Sequence, residues 1–287
     1  MLKRRGAGEE ALNVERELIA FLRAAADEPD ASISTLHRVA ATFLFTVNDE
    51  LRDAPRAVEL ELEVNRRAEY RNPLFVRGLA QAYLRAGDTM RAVQAWEQSF
   101  ALIVDDRSRA AQLSYAAWEL LNVPPPESRD PAAALKFAQR ANELTGYENP
   151  AYLTNLARAF ALDGQTETAV DVWNKLIAIL PDDRARANSL NGAAWTLLTG
   201  TPETIRNPAV ALKLALRAAE LSKSENPAIL DTLALAYART GDAAKAVDTQ
   251  EKAISLLAGD ASDRAEYITR LTEYEAAAND SIQSRMP

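Results

Sequence analysis

Apolar residues along the chain recur at i, i+3, i+4 and i+7, the spacing of one face of an α-helix. The stripe Leu79, Ala80 and Tyr83 returns 77 residues later as Leu156, Ala157 and Phe160, and again as Leu233, Ala234 and Tyr237. An Asn-Pro pair precedes each stripe: Asn72-Pro73, Asn149-Pro150 and Asn226-Pro227. The asparagine is suited to cap a helix, and the proline to its first turn, where a missing N–H costs nothing. Gly87, Gly164 and Gly241 follow at the same spacing and predict left-handed stops. A second helix then carries Ala92 and Trp96, Ala169 and Trp173, or Ala246 and Gln250.

A second kind of hairpin alternates with the first. Its leading helix holds Leu113, Ala116, Ala117 and Leu120, repeated as Leu190, Ala193, Ala194 and Leu197. A proline-bearing loop follows, Asn122 to Asp130 or Thr199 to Asn207, and Pro131 or Pro208 opens the next helix. An earlier, degenerate copy runs from Leu36 to Arg71. Arg52, Arg129 and Arg206 keep the 77-residue register, as do Trp118 and Trp195. Between residues 107–183 and 184–260, 38 of 77 positions are identical, far beyond chance. The ends predict single helices, Glu9 to Ala26 and Ala261 to Ala278. The latter bears a stripe of Tyr267, Ile268, Leu271 and Tyr274, and both read as polar-faced caps.

This pattern resembles the tetratricopeptide repeat family. The hairpin from Pro150 matches its signature with Leu153, Leu156, Ala157, Phe160, Ala169, Trp173 and Pro181. The repeat frame is 33–72, 73–109, 110–149, 150–186, 187–226 and 227–263, with a flanking helix in 1–32 and a capping helix and tail in 264–287. The hairpins are longer than the usual length of about 34, and Ala116 and Ala193 stand where leucine is usual. Alternating long and short hairpins look like tandem repeats of multidomain bacterial proteins. The resemblance implies an all-α, right-handed superhelical solenoid whose first helices line a concave groove. Carried over position by position, that groove presents Arg38, Arg77, Gln81, Arg85, Tyr115, Trp118, Asn155, Arg158, Asn191, Trp195, Asp231 and Arg239. In the family's clamp for chaperone tails, Arg77 and Gln81 would be loose counterparts of two residues. Tyr115, Ala151 and Asn155 depart from the others, so that activity does not carry over.

Charge sharpens this picture. The chain has 41 acidic and 33 basic residues, a net charge of −8, which argues against nucleic acid and against anionic membranes. The implied groove nonetheless holds five arginines against Asp231, and Arg158 falls between Trp118 and Trp195 in hairpin order. Such a row suits cation–π contacts or anchors for an extended acidic or carboxylate-ended peptide. Packing of both indoles between helices is an equal reading.

Chemistry adds little else. Cysteine is absent and His37 is the one histidine, with no catalytic partner near it in sequence, so it reads as a polar surface or groove residue. Gly6-Ala7-Gly8-Glu9-Glu10-Ala11 matches a loose dinucleotide pattern, but no strand precedes it. Neither cofactor nor metal is implied, and no enzyme activity is expected. No apolar run reaches the roughly 18 residues of a membrane span. Glu9, Glu10, Glu15 and Glu17 break any signal-peptide core, so a cytoplasmic protein is the expectation. The function expected is a non-catalytic protein-interaction scaffold or adaptor. The alternatives are a subunit that self-associates through its terminal helices, and a docking or regulatory region of a larger enzyme.

Overall fold

The structure is a computed structural model and describes residues 2–46, 48–125, 128–201, 203, 206–258 and 263–283. The expected helix start at Ala261, the tail beyond residue 283 and parts of both proline-bearing loops lie outside the described residues. Among the described residues the chain is all-α, a solenoid of paired helices with no strand. The helices are α1 (Leu2–Asp27), α2 (Ile33–Phe45), α3 (Ala54–Arg67), α4 (Pro73–Arg85), α5 (Thr89–Ala101), α6 (Asp106–Asn122) and α7 (Pro131–Leu144). They continue as α8 (Pro150–Leu162), α9 (Thr166–Ile179), α10 (Asp183–Thr199), α11 (Pro208–Leu221), α12 (Pro227–Arg239), α13 (Ala243–Leu256) and α14 (Arg264–Gln283). Two compact units divide the chain, Met1–Phe137 and Ala138–Pro287.

Local chemistry explains the helix ends. Asn72, Asn149 and Asn226 accept from backbone N–H groups two or three residues on, with proline at the first turn. Gly87, Gly164 and Gly241 take φ of 82°, 82° and 88°, as a left-handed stop requires. A second set of left-handed residues was not visible in sequence: Glu69 and Tyr70, Gly146 and Tyr147, Lys223 and Ser224, again 77 apart. The repeated arginines have a shared role. Arg52, Arg129 and Arg206 donate through Nε to the carbonyls of Thr46, Val123 and Gly200, at 3.1, 3.4 and 2.9 Å. Each acceptor caps the preceding helix, so the arginine closes the following loop onto a carbonyl at the helix end. α1 begins well before Glu9 and runs straight through Gly6 and Gly8. The loose dinucleotide match is thus a helix interior and not a phosphate loop.

In the first unit, Leu36, Val39, Phe43, Leu60 and Val64 form a core with Ile19 and Ala26 of α1. Trp96 is fully buried, edge-on to Phe137 at 6.4 Å. In the second unit Trp173 takes the equivalent place and is equally buried. The third copy breaks the pattern with Gln250, which is also buried. Its Nε2 donates to Asp231 Oδ1 at 2.8 Å and to the Tyr267 carbonyl at 3.1 Å. From α14, Arg270 grips Asp231 with two bonds, Nε to Oδ1 and Nη2 to Oδ2, both 2.9 Å. Tyr267 packs with Leu230 and Ala253, and Tyr274 with Ala234 and Ala246. The apolar stripe of the last helix is therefore occupied within the chain, apart from the exposed Ile268 and the half-buried Leu271.

Removing one partner of the α14 latch strands a charge under the helix. Arg270→Ala is expected to cost about 3–5 kcal/mol in urea unfolding. A loss below about 1 kcal/mol would mean that the apolar contacts of Tyr267 and Tyr274 hold α14 unaided.

Candidate functional site

The expected groove residues fall into two differently built copies of one arrangement. In the first unit α4 and α6 are joined by a polar network. Gln81 Nε2 donates to the Tyr115 hydroxyl at 2.9 Å and to Glu119 Oε1 at 3.2 Å. The Tyr115 hydroxyl donates to the same carboxylate oxygen at 2.5 Å, and Arg85 Nη1 to Glu119 Oε2 at 2.7 Å. Burial, and then this bond to Glu119, push the Tyr115 phenol up to about 12. Arg85 also lies over the Phe45 ring, 4.4 Å from its centroid. Arg77 Nη1 bonds Gln112 Oε1 at 3.0 Å, which spans the two helices once more. A cavity of about 330 Å³ remains beside Arg77.

The second unit replaces each of these groups. Thr154 stands for Arg77, Arg158 for Gln81, Gly192 for Tyr115 and Thr196 for Glu119. All four line a larger cavity between α8 and α10, about 560 Å³, together with Trp195, Asn188 and Ser189. Buried Trp173 and Leu176 form its apolar base. A Cβ placed on Gly192 would meet no atom within 4 Å, so the glycine leaves open space rather than relieving a clash. Arg158 is the one charged side chain in this lining.

Both repeated indoles are surface residues. Trp118 is 45% and Trp195 40% exposed, which decides between the two sequence readings in favour of open rings. Trp118 stacks on Tyr115, with centroids 6.2 Å apart. Trp195 has Gly192 in place of that tyrosine, and its ring borders the cavity. Asn155 is half-buried on α8, and Asn191 on α10 has a buried Oδ1 with no hydrogen-bond partner among the described residues. Arg38 and Arg239 are exposed on α2 and α12.

Three expectations need correction. The arginines do not form a uniformly positive surface, because buried Glu119 offsets Arg85. Glu119 was missed because it sits on a face that its counterpart, Thr196, gives no reason to suspect. Asp231 is not open to a partner, because Arg270 and Gln250 cover it. Its carboxyl is raised above the ordinary value of 3.8 by burial, against these contacts. His37 also differs from expectation. Its Nδ1 lies 2.7 Å from Oε1 of buried Glu61, 24 residues along, and its ring meets Phe75 edge-on at 5.1 Å. Among the described residues no three His, Asp or Glu side chains converge as a metal site, and no helix is long and apolar enough to cross a membrane.

Known proteins place this architecture. No curated protein matches the chain. A tetratricopeptide repeat profile matches residues 73–98, within α4 and α5. Among solved structures, the C-terminal part of a TPR repeat-containing protein from Cytophaga hutchinsonii is similar, with 13% identity and a TM-score of 0.52. The likeness covers 92% of this chain and 98% of that one. The structure of Naa15/Naa10 bound to HypK-THB gives 14% identity and a TM-score of 0.58, over 93% of this chain and 48% of that chain. Such identities speak for the fold alone. Residues 73–98 thus match a tetratricopeptide repeat, and the described residues as a whole are built of helical hairpins.

Two measurements check this geometry. Trp118→Ala and Trp195→Ala are each expected to cost less than about 1 kcal/mol of stability. Trp173→Ala should cost about 3–5 kcal/mol, as removal of a buried ring does. Equal losses would place the exposed indoles in the core. Separately, burial raises the Glu61 carboxyl above 4.5 although the His37 bond lowers it. The fold thus favours the protonated acid. That contribution is complete below the unfolded value and is lost as pH rises through the higher folded value. Glu61→Gln removes this loss, so its stability relative to wild type should grow from pH 4.5 toward neutrality. A difference independent of pH would refute the assignment.

Proposed function

We propose that the chain is a non-catalytic protein–protein interaction scaffold whose main recognition surface is the α8–α10 face. One observation carries this: Gly192 opens a cavity beside an exposed Trp195 and Arg158 at the place where the other copy fills itself with Tyr115 and Arg77. A wide, apolar-based recess with one cation at its edge suits an extended peptide segment that offers a large apolar side chain beside a carboxylate. Trp and Arg are also the side chains most enriched at binding hot spots. In the hairpin frame of 33 to 263, with α1 and α14 as flanking helices, buried Trp173 and Leu176 give the α8–α10 face a packed base, so binding needs little reorganisation. Net charge argues against nucleic acid and membrane partners, and a cytoplasmic setting suits a cysteine-free chain. Self-association through a terminal helix is a second reading, favoured by the apolar face that α1 leaves exposed. A docking region within a larger assembly would use the same α8–α10 surface.

Filling the recess tests the reading. Gly192→Tyr has room for its side chain and should fold with unchanged helical circular dichroism. Affinity capture from native lysate should then lose the partners that wild type retains, and Arg158→Glu should lose the same ones. Capture unchanged in both variants would overturn the assignment of this face.

A further inference from the structure

The first unit carries, within its own chain, the occupant of a space that the second unit leaves open. Residues 77 apart hold equivalent places in the two copies. Part of the α8–α10 recess has a counterpart in the smaller cavity of the first unit: Pro150, Thr154 and Leu180 stand for Pro73, Arg77 and Ile103, which line that cavity. The recess extends further, to Arg158, Gly192, Trp195 and Thr196. Their counterparts, Gln81, Tyr115, Trp118 and Glu119, are not among the residues lining the smaller cavity. There the Tyr115 side chain reaches from α6 to Gln81 of α4 and fills the equivalent space. The extra volume of the recess is thus the room that one phenol ring takes up in the other copy.

The groups around that ring are matched in kind. Tyr115 stacks on Trp118, with centroids 6.2 Å apart and planes 29° from parallel. Its hydroxyl accepts from Gln81 Nε2 at 2.9 Å and donates to Glu119 Oε1 at 2.5 Å, so one donor and one acceptor serve it. The second unit repeats the indole as Trp195, 40% exposed and bordering the recess. Arg158, again a donor, replaces Gln81. Thr196 replaces Glu119, and its hydroxyl, which donates to the Gly192 carbonyl at 2.9 Å, keeps lone pairs that accept. What the second unit lacks is the ring itself, since Gly192 has no side chain. A hydrocarbon side chain seated there would cover the indole, but it would desolvate Arg158 and Thr196 with no hydrogen bond in return. A phenol answers all three groups.

We propose that the α8–α10 recess recognises a tyrosine side chain of its partner, stacked on Trp195 where Tyr115 stacks on Trp118, with its hydroxyl bonded by Arg158 and Thr196. The inference rests on the reading of this face as the recognition surface and names the residue that the face reads. The probes are the N-acetyl amides of tyrosine, phenylalanine and leucine, added to the full chain labelled with 5-fluorotryptophan. Trp195→Phe and Trp118→Phe assign the two fluorine signals. The tyrosine amide should shift the Trp195 signal and leave that of Trp118 in place, because Tyr115 already covers the second ring. It should bind at least about five-fold more tightly than the phenylalanine amide, the worth of one hydrogen bond, and the leucine amide should be weaker still. Gly192→Tyr supplies the ring from within the chain and should abolish the Trp195 response. Arg158→Met should remove the preference for tyrosine over phenylalanine, and Arg158→Gln, the donor of the first unit, should keep it. No shift at Trp195, equal binding of the leucine amide, or equal shifts of both indoles would overturn the proposal. So would a tyrosine preference that survives Arg158→Met. None of these outcomes touches the wider reading of the face, which stands or falls with partner capture by Gly192→Tyr, whatever residue fills the recess.

Discussion

A hairpin of two amphipathic helices cannot bury its own apolar surface, and this constraint organises the rest of the molecule. Each leading helix presents apolar side chains to its own partner and to the neighbouring hairpin. Alanines at 80, 116, 117, 157, 193, 194 and 234, all buried, let the backbones approach closely enough to share one core. Within each unit this packing sets the helix ends as well, and the 77-residue spacing extends to caps, left-handed turns and loop-closing arginines. A repeated stack also creates a problem where it stops. In the last hairpin the buried indole of earlier copies gives way to Gln250, and the half-buried Thr154 position becomes Asp231. Taken singly, each departure puts an unpaired polar group in a core, which is costly. Together with Arg270 they bond one another, Gln250 through its Nε2, and fix how α14 is seated.

Departures of the opposite kind open a recess. Between the α4–α6 and α8–α10 faces the N-terminal caps and buried indoles are alike, while the polar side chains between the helices differ. Gln81, Tyr115, Glu119 and Arg85 close one face with a network in which every member holds a partner, a condition that such networks require to be stable. Replacing tyrosine by Gly192 and the carboxylate by Thr196 removes the two hubs of that network. The result is a recess whose base, Trp173 and Leu176, is locked by the core. The difference in cavity volume is therefore a side-chain property on a shared backbone, and the recess is preformed.

Much of this was legible in the sequence because periodic packing leaves periodic residues. Helix identity, the Asn-Pro caps, the glycine stops and the buried pair Trp96 and Trp173 all follow from spacing. The left-handed pairs at Glu69, Gly146 and Lys223 were not legible, since two of the three begin with residues that carry no turn preference. Contacts between helices far apart in sequence were also hidden. Arg85 reads as a free cation until Glu119, 34 residues on, is seen to bind it, and Asp231 reads as a groove acid until Arg270 arrives. Position along a repeat tells which face a residue occupies. It does not tell which charge the next helix will bring.

That distinction gives the two exposed indoles their weight. Residues identical between the second and third copies are mostly those that the core or the turns demand: Leu113 and Leu190, Ala117 and Ala194, Pro131 and Pro208. Trp118 and Trp195 answer to neither demand, because each leaves much of its ring in solvent. Their immediate neighbours also differ, Tyr115 under one and Gly192 beside the other, so a common packing partner cannot explain them. An indole held open at the same place in both copies is costly to solvate and adds little to the core. Under the proposed function the open ring is what a partner buries on contact, with the recess beside Trp195 giving that contact its shape and Arg158 its charge.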